Sequence, residues 1–288
     1  MEDYALLSIK YKCNMKYQIK PNSVEETLII PLYGRVIAEE KYPNLKGNKN
    51  TKEIIDSIDY DFASKRKIMT SVFGLYGALE CVQREYDLKC EIDEYLRKYP
   101  QASVVNLGCG LLDIFVEVDN GQCRCYNIDF PNVIDIRNKI MPVKEREINL
   151  GYDLNDYAWM KEIDKKHGVV FIAAGVFYYF KREDAFNLFK EISKQFPNSS
   201  LAFDTCNKKG LKMMLKTWIK EAGIKDVGTY FGLTKPQKEL DEANVPYKGI
   251  SVKSYMHGYR KLKYRPIHKL CNILMDKIVK GRIVRIDF

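Results

Sequence analysis

The chain reads as an α/β protein built on a mostly parallel, doubly wound sheet with helices on both faces, preceded by a helical extension. Three observations predict this. Beyond Pro100, short apolar runs alternate with amphipathic segments, the pattern of a buried parallel sheet. The first of those runs ends in a bend with two glycines one residue apart, Gly108-Cys109-Gly110. Ahead of Pro100, apolar residues recur at helical spacing instead.

The amino-terminal section opens with Thr27–Glu39 (TLIIPLYGRVIAE), helical in period but interrupted by Pro31, where a kink or a new helix is expected. Lys41–Asn50 (KYPNLKGNKN) is a polar loop punctuated by proline and glycine. Helices resume from Thr51 and again from Ser64 through Arg97, and Tyr99-Pro100 closes them. Strands are expected at Ser103–Leu107, Arg124–Ile128, Glu147–Asn149, Val169–Ala173 and Leu201–Asp204. Helices are expected at about Asn132–Met141, Tyr157–Lys165, Arg182–Gln195 and Lys208–Ala222. Gly249–Met256 and Arg282–Phe288 then read as strands on either side of a helix at Pro266–Ile278. No Pro/Gly/Ser-rich linker and no internal repeat divides the 288 residues. Residues 1–99 read as a helical cap or substrate lid, and residues 100–288 as the binding core of one compact unit.

Composition narrows the function classes. Hydrophobic residues make up 46% of the chain, yet no window approaches the roughly 18 uninterrupted apolar residues of a membrane span. The stretch MEDYALLSIKYK is charged from its second residue and has neither a signal-peptide apolar region nor a cleavage site, so a cytoplasmic protein without a membrane partner is expected. Eight cysteines (Cys13, Cys81, Cys90, Cys109, Cys123, Cys125, Cys206, Cys271) lie scattered, mostly in apolar runs, where free cysteine acts as a small hydrophobe. Cys123 and Cys125 are the close pair, and no second Cys or His pair stands at zinc-site spacing, so no metal is expected. The net charge of +9 is concentrated in Tyr259–Arg265 (YRKLKYR) and Lys277–Arg285 (KIVKGRIVR). These runs read as solvated faces, and nucleic acid is the weaker alternative partner.

The glycine bend carries the chemistry. In a doubly wound sheet the nucleotide crevice lies at the carboxyl ends of the strands, and Val104-Val105-Asn106-Leu107 is the first strand. Gly108 and Gly110 let the backbone turn sharply and approach a ligand where a Cβ would collide. About twenty residues on, the second strand ends in Tyr126-Asn127-Ile128-Asp129, and a carboxylate there can accept both ribose hydroxyls. A dinucleotide fingerprint would want a third glycine at position 113. Asp113 stands there and would repel a diphosphate. The expected ligand is therefore an adenosine without phosphates, of which S-adenosyl-L-methionine is the commonest cofactor.

Longer blocks carry a family resemblance from about Val24 to Phe288. They are Val24-Glu25-Glu26-Thr27, Ile30-Pro31-Leu32-Tyr33-Gly34-Arg35, Ile58-Asp59-Tyr60-Asp61-Phe62 and Val104–Leu111. Val118-Asp119-Asn120-Gly121, Ile128-Asp129-Phe130-Pro131, Ala174–Phe180 and Phe196-Pro197-Asn198-Ser199 continue the series. Together they resemble the leucine carboxyl methyltransferase family, in its bacterial branch of tetracenomycin-type polyketide carboxyl O-methyltransferases. The resemblance implies the Rossmann-like class I methyltransferase fold, a seven-stranded sheet, and S-adenosyl-L-methionine as cofactor. It also implies roles. Gly108 and Gly110, with Cys109 between them, would approach the methionine part of the cofactor. Asp129, followed by Phe130, would hold the ribose. Arg84, on the helix before the first strand, would pair with the cofactor carboxylate. The stretch Tyr152-Asp153-Leu154-Asn155-Asp156, with Trp159 after it, should meet the adenine amino group, through Asp153 or Asp156, with Asp153 preferred.

Two departures stand out. Where the family usually has Gly-Leu-Asp-Thr-Arg, this chain has Gly110-Leu111-Leu112-Asp113-Ile114, which loses an aspartate and an arginine or shifts the aspartate by one residue. Where it usually has Glu-Gly-Val, this chain has Ala174-Gly175-Val176, which deletes a carboxylate expected to face the cofactor's sulfonium or amino group. Such a contact is worth about 1.5–3 kcal/mol. A degenerate member that binds the cofactor or a metabolite without catalysis is the alternative these departures raise.

The acceptor is expected to be a small acidic molecule. Methyl transfer is an in-line displacement governed by alignment, and a carboxylate, ionised at neutral pH, needs no general base. The three histidines, His167, His257 and His268, fall outside the matched blocks, which favours such an acceptor. Tyr33, Tyr178 and Tyr179 lie in blocks that would border its pocket, as flat walls for a planar polyketide-like molecule or simply as packing. Arg35 could clamp an acidic acceptor bidentately or pin the amino-terminal helices to the sheet.

Overall fold

The computed structural model describes residues 16–19, 24–45, 47–48, 50–215, 228–254 and 263–288. A short parallel pair, β1 (Tyr17–Gln18) with β2 (Ile58–Asp59), belongs to the amino-terminal section, as do α1 (Val24–Lys41), α2 (Thr51–Asp56), α3 (Phe62–Met69) and α4 (Val72–Lys98). No new helix begins at Pro31, because α1 runs on through it. Proline leaves one carbonyl without its helical donor, and packing compensates: Ile29, Leu32 and Ile37 are buried, and Gly34 lets α1 approach α4 at Ala78. Thr70 and Ser71 divide α3 from α4, where the Ser71 side chain caps the new helix by accepting the N–H of Gly74.

The remaining elements are β3 (Ser103–Leu107), α5 (Phe115–Val118), β4 (Arg124–Asp129), α6 (Pro131–Ile140), β5 (Glu147–Gly151), β6 (Val169–Ala173) and α7 (Arg182–Gln195). They continue with β7 (Ser200–Thr205), α8 (Lys208–Met214), α9 (Pro236–Glu242), β8 (Gly249–Ser254), α10 (Pro266–Leu274) and β9 (Arg282–Asp287). The strands make the expected seven-stranded sheet in the order β5-β4-β3-β6-β7-β9-β8. β3 to β7 pair in parallel, while β9 runs antiparallel to both β7 and β8. Strand order reverses at β3, which puts the switch point of the sheet at the carboxyl ends of β3 and β6.

Two expected elements take another form. Tyr157–Lys161 is a 3₁₀ helix rather than the start of a longer α-helix. Its continuation is taken up by a turn, in which the Asp164 side chain accepts the N–H of Lys166 and its carbonyl accepts the Ser103 hydroxyl. The helix from Pro266 passes into a π turn at Met275–Val279, ended by Lys280 in the left-handed region at φ +53°. Neither β1 and β2 nor α5 and α9 was marked by periodicity. Residues 216–222 of the expected helix from Lys208, Tyr255 and Met256 of the expected strand, His257, Cys13, most of YRKLKYR and the stretch MEDYALLSIKYK lie outside the described residues.

Each face of the sheet is covered. On one, Leu88, Ile92 and Tyr95 of α4 pack on Val104, Val170, Ile172 and Ala202. On the other, Phe171, Phe189, Phe203 and Phe231 form an aromatic core with Trp159 and Phe196. This alternation along β6 and β7 is why their sequences read as continuous apolar runs. Among the described residues no helix is long and apolar enough to cross a membrane. Both arginines of the Lys277–Arg285 run are answered internally: Arg285 pairs with Glu91 at 3.0 Å and Glu94 at 2.9 Å, and Arg282 with Asp276 at 2.7 Å.

Phe189 is fully buried and touches the rings of Phe177, Phe203 and Phe231 at centroid distances of 5.0, 5.3 and 5.9 Å. Phe189→Ala should therefore cost about 3–5 kcal/mol of unfolding free energy, measured by urea denaturation.

Candidate active site

The carboxyl ends of β3, β4, β6 and β7 open into a cavity of about 620 Å³. Gly108 and Gly110 carry the chain off β3 with φ of +58° and +49°, a left-handed backbone that glycine adopts without steric cost. A Cβ at Gly108 would lie 2.6 Å from Val176 Cγ2, so glycine also seats the loop after β6. At Gly110 a Cβ would meet Leu28 at 3.4 Å, and the backbone itself forms cavity wall.

The bend is held from two sides. Asp129, at the end of β4, accepts the N–H of Gly110 through one oxygen and that of Phe130 through the other, each at 2.8 Å. Burial pushes its carboxyl up from the ordinary value, while those two N–H groups and Arg137 pull it back. Each oxygen keeps a further acceptor position, and Asp129 lines the cavity beside Phe130, whose ring is 52% exposed. From within the protein, the buried Arg137 of α6 donates to the carbonyls of Gly110 at 3.2 Å and Leu112 at 2.9 Å and pairs with Glu147 at 3.1 Å. Glu147 also accepts from Asn127 at 2.7 Å, and Asn127 accepts from Asn106 at 3.2 Å. Sequence reading missed Arg137. Its signal is a charged residue at an apolar position of an amphipathic helix, in register with the buried Val133, Ile134 and Ile136.

Asp113 does not face the ligand side of the bend. It is buried and bonded to Lys144 at 2.9 Å and Asn50 at 2.8 Å, so its charge is neutralised inside the protein, and the repulsion expected at that position does not arise. Leu111 and Leu112 line the cavity in its place. Cys109 is buried, and desolvation pushes its thiol up to about 12, which leaves it an inert wall residue.

A second strand-end carboxylate, also missed, organises the loop after β6. Asp204 of β7 accepts the N–H of Gly175 at 2.6 Å and the Tyr178 hydroxyl at 2.9 Å, and pairs with Arg84 at 3.2 Å. Gly175, at φ +75°, has Arg84 packed so closely that a Cβ would lie 2.6 Å from its Nη1. The chain thus lacks a carboxylate at Ala174 but holds one on the neighbouring strand at Asp204, and Arg84, Ala174, Gly175, Tyr178 and Asp204 all line the cavity. Of the stretch after β5, Tyr152, Asp153, Leu154 and Asn155 line the cavity. Asp156 instead caps the 3₁₀ helix by accepting the N–H of Ala158, and Trp159 is fully buried in the aromatic core with its Nε1 toward the Leu154 carbonyl.

The acceptor-side residues divide. Tyr178 and Tyr179 line the cavity. Tyr33 does not border it; it is buried against Phe62, rings 5.0 Å apart, because its turn of α1 faces α3. Arg35 reaches the cavity but is paired with the buried Glu85 of α4 at 2.9 Å, tying the two helices together. His268 is buried beside Tyr42 and Tyr76, away from the cavity, and His167 lies in an exposed turn. The face of α4 that reads Gly77, Glu80, Cys81, Arg84 lines the wall, as residues at helical spacing must. Desolvation pushes the Glu80 carboxyl up to about 8, with Asp204 adding to the rise and Arg84 opposing it.

Two outcomes follow from these contacts. Arg137→Met should cost about 3–5 kcal/mol in urea denaturation, since it leaves Glu147 charged and buried; adding Glu147→Leu should recover much of that loss. Glu80 binds its proton more tightly when folded than when unfolded, so wild-type stability should fall relative to Glu80→Gln as pH rises from about 4.5 to about 8, by up to about 1.4 kcal/mol per unit. Parallel melts across that range would measure it.

Residues 90–193 match the model of the leucine carboxyl methyltransferase family. The tetracenomycin polyketide synthesis O-methyltransferase TcmP of Streptomyces glaucescens is 22% identical over 187 residues, which span 65% of this chain and 67% of that protein. Among solved structures, a protein of Thermobifida fusca YX classed with the methyltransferases covers 96% of each chain, with a TM-score of 0.56 and 11% identity. A DUF574 family protein from Streptomyces avermitilis MA-4680 covers 90% of this chain and 96% of its own, at 0.53 and 11%. The plantazolicin methyltransferase BamL, solved with a triazolic desmethylPZN analog and SAH, covers 92% and 99%, at 0.50 and 13%. These structural likenesses carry the fold, and the sequence relationships carry the kinship. Together they make the chain an S-adenosylmethionine-dependent methyltransferase, similar over residues 90–193 to the leucine carboxyl methyltransferase family and in sequence to TcmP.

Proposed function

We propose that the enzyme methylates an oxygen of a small acidic acceptor, a carboxylate on a planar aromatic or polyketide-like metabolite. The lining of the cavity is the observation that carries this reading. Besides the strand ends it includes an apolar, sulfur-rich wall of Cys206, Met213, Met214, Met275 and Val279, which suits a flat, largely apolar molecule. The name of TcmP, an O-methyltransferase of polyketide synthesis, agrees with such an occupant.

The residues at the strand ends suit a nucleoside thioether. Gly108 and Gly110 offer bare backbone, the Asp129 carboxylate keeps acceptor positions for ribose hydroxyls, and Phe130 presents an exposed ring for the adenine face. Asp153 and Leu154 stand where the adenine edge would lie, and Arg84, steadied by Asp204, would meet the amino-acid carboxylate. Bound there, S-adenosylmethionine supplies the methyl group as a sulfonium electrophile. The protein's own contribution is alignment and dryness: Tyr178, Tyr179 and the sulfur-rich wall orient the acceptor oxygen toward the methyl group and exclude water. A carboxylate acceptor brings no proton to remove. Within residues 1–99, α1 and α4 would act as the acceptor-side cap, through Leu28, Pro31 and the α4 face.

S-adenosylhomocysteine at a hundredfold excess over its dissociation constant should stabilise the fold by roughly 2.7 kcal/mol, and Asp129→Ala should weaken its binding at least about tenfold; absence of any thermal shift would remove the cofactor assignment. With methyl-labelled cofactor and a panel of aromatic and polyketide acids, label should appear in alkali-labile esters. Label found only in alkali-stable ethers would overturn the carboxylate assignment.

A further inference from the structure

We propose that Glu80 holds the acceptor as a neutral acid, donating its carboxyl proton in a hydrogen bond to the acceptor's anionic oxygen. The proposal rests on the reading of the acceptor as an acid and names the group that would recognise it. Glu80 stands on the α4 face that lines the cavity, one turn from Arg84 and next to the wall formed by Cys206, Met214 and Met275. For an anion entering there, both lining guanidiniums are engaged, and the lining ammonium, Lys181, stands apart from this wall at the start of α7. Arg35 is engaged by Glu85 at 2.9 Å and Arg84 by Asp204 at 3.2 Å. An ionised Glu80 would repel that anion at close range; a protonated one offers it a charge-assisted hydrogen bond.

The surroundings keep the proton in place at neutral pH. Desolvation and Asp204 push the Glu80 carboxyl up to about 8, against the pull of Arg84. The other titratable groups facing it move away from that range. Burial raises the thiols of Cys81 and Cys271 and pushes that of Cys206 up to about 12, and the Tyr76 hydroxyl is raised by burial and by Glu80 itself. Between pH 6.5 and 9.5, loss of the Glu80 proton is thus the event in this wall that changes how an anion is received.

The test uses the full chain saturated with S-adenosylhomocysteine and naphthalene-2-carboxylate as probe, an anion throughout that pH range, with the carboxamide as its uncharged control. Naphthoate should bind at pH 6.5 and weaken at least tenfold by pH 9.5, while the carboxamide changes little. Glu80→Gln, which donates at every pH, should bind naphthoate equally at both, and Glu80→Ala should bind it at least tenfold more weakly than Glu80→Gln. The S-adenosylhomocysteine melting shift of each variant reports folding and cofactor binding separately. If that shift is present and naphthoate binds with no pH dependence, or not at all, the proposal fails while the methyltransferase reading stands. If wild type shows no shift, both fail. If turnover of hydroxyl acceptors rises with pH and Glu80→Gln abolishes it, Glu80 is a general base and the proposal is overturned.

Discussion

The geometry of the active site depends on one guanidinium placed where water cannot reach it. Arg137 lies beneath the bend after β3, and its two carbonyl contacts and its ion pair with Glu147 fix the backbone of residues 110–112. Burying an ion pair costs several kcal/mol per charge and is recovered only when the geometry is good and the remaining donors and acceptors are satisfied. Asn127 gives Glu147 a further hydrogen bond, and the asparagines at 106, 127 and 149 extend the network in adjacent positions across three strands. A hydrophobic substitute could match the stability of this arrangement, but it could not hold two carbonyls in place. The bend is therefore set before any ligand arrives, which spares the ordering cost of a loose loop on binding.

The same device appears twice around the switch point. Asp129 on β4 accepts an N–H from the loop that follows its neighbour β3, and Asp204 on β7 accepts one from the loop that follows its neighbour β6. In each case the loop glycine has a positive φ and the aspartate ends a parallel strand beside it. The two loops also touch, through Gly108 and Val176. The cavity floor thus lies between two clamped turns, and Arg84 spans from α4 to the second clamp. Asp204 brings a carboxylate from the adjacent strand to the loop that carries Ala174.

Most of the architecture was legible because it depends on local alternation. β3, β6 and β7 are buried on both faces and centre on the apolar runs Val104-Val105, Val169–Ala173 and Leu201-Ala202-Phe203; α7 and α10 are strongly amphipathic. Legibility fails where tertiary contacts outweigh local preference. Pro31 sits within a continuous helix because α1 is held along its length against α4, and Tyr157–Lys161 stays short because Asp164 is engaged from β3. At the site, Gly108, Gly110 and Asp129 could be found from spacing, since strand, turn and strand end are contiguous features. Arg137 and Asp204 could not, since their roles arise from atoms far away in sequence. Glu80 and Arg84 belong to one helical face whose meaning appears only when the sheet lies beside it. Tyr33 shows the converse: it stands in a block next to the cavity, but its helix rotation turns it toward Phe62.

The placement of β9 has a consequence for how the molecule is made. It is the last of the strands along the chain, yet it lies between β7 and β8. Until residues 282–287 arrive, β8 has no rung in the ladder and β7 presents a bare apolar edge. Met275, Val279 and Gly281, part of the far cavity wall, immediately precede it in the chain, so insertion of one strand finishes the sheet and the wall together. As synthesis proceeds from the amino end, a ribosome-bound intermediate would already carry the complete glycine bend beside an unpaired edge, a template for unwanted strand addition. That edge should therefore need protection until β9 has paired with it.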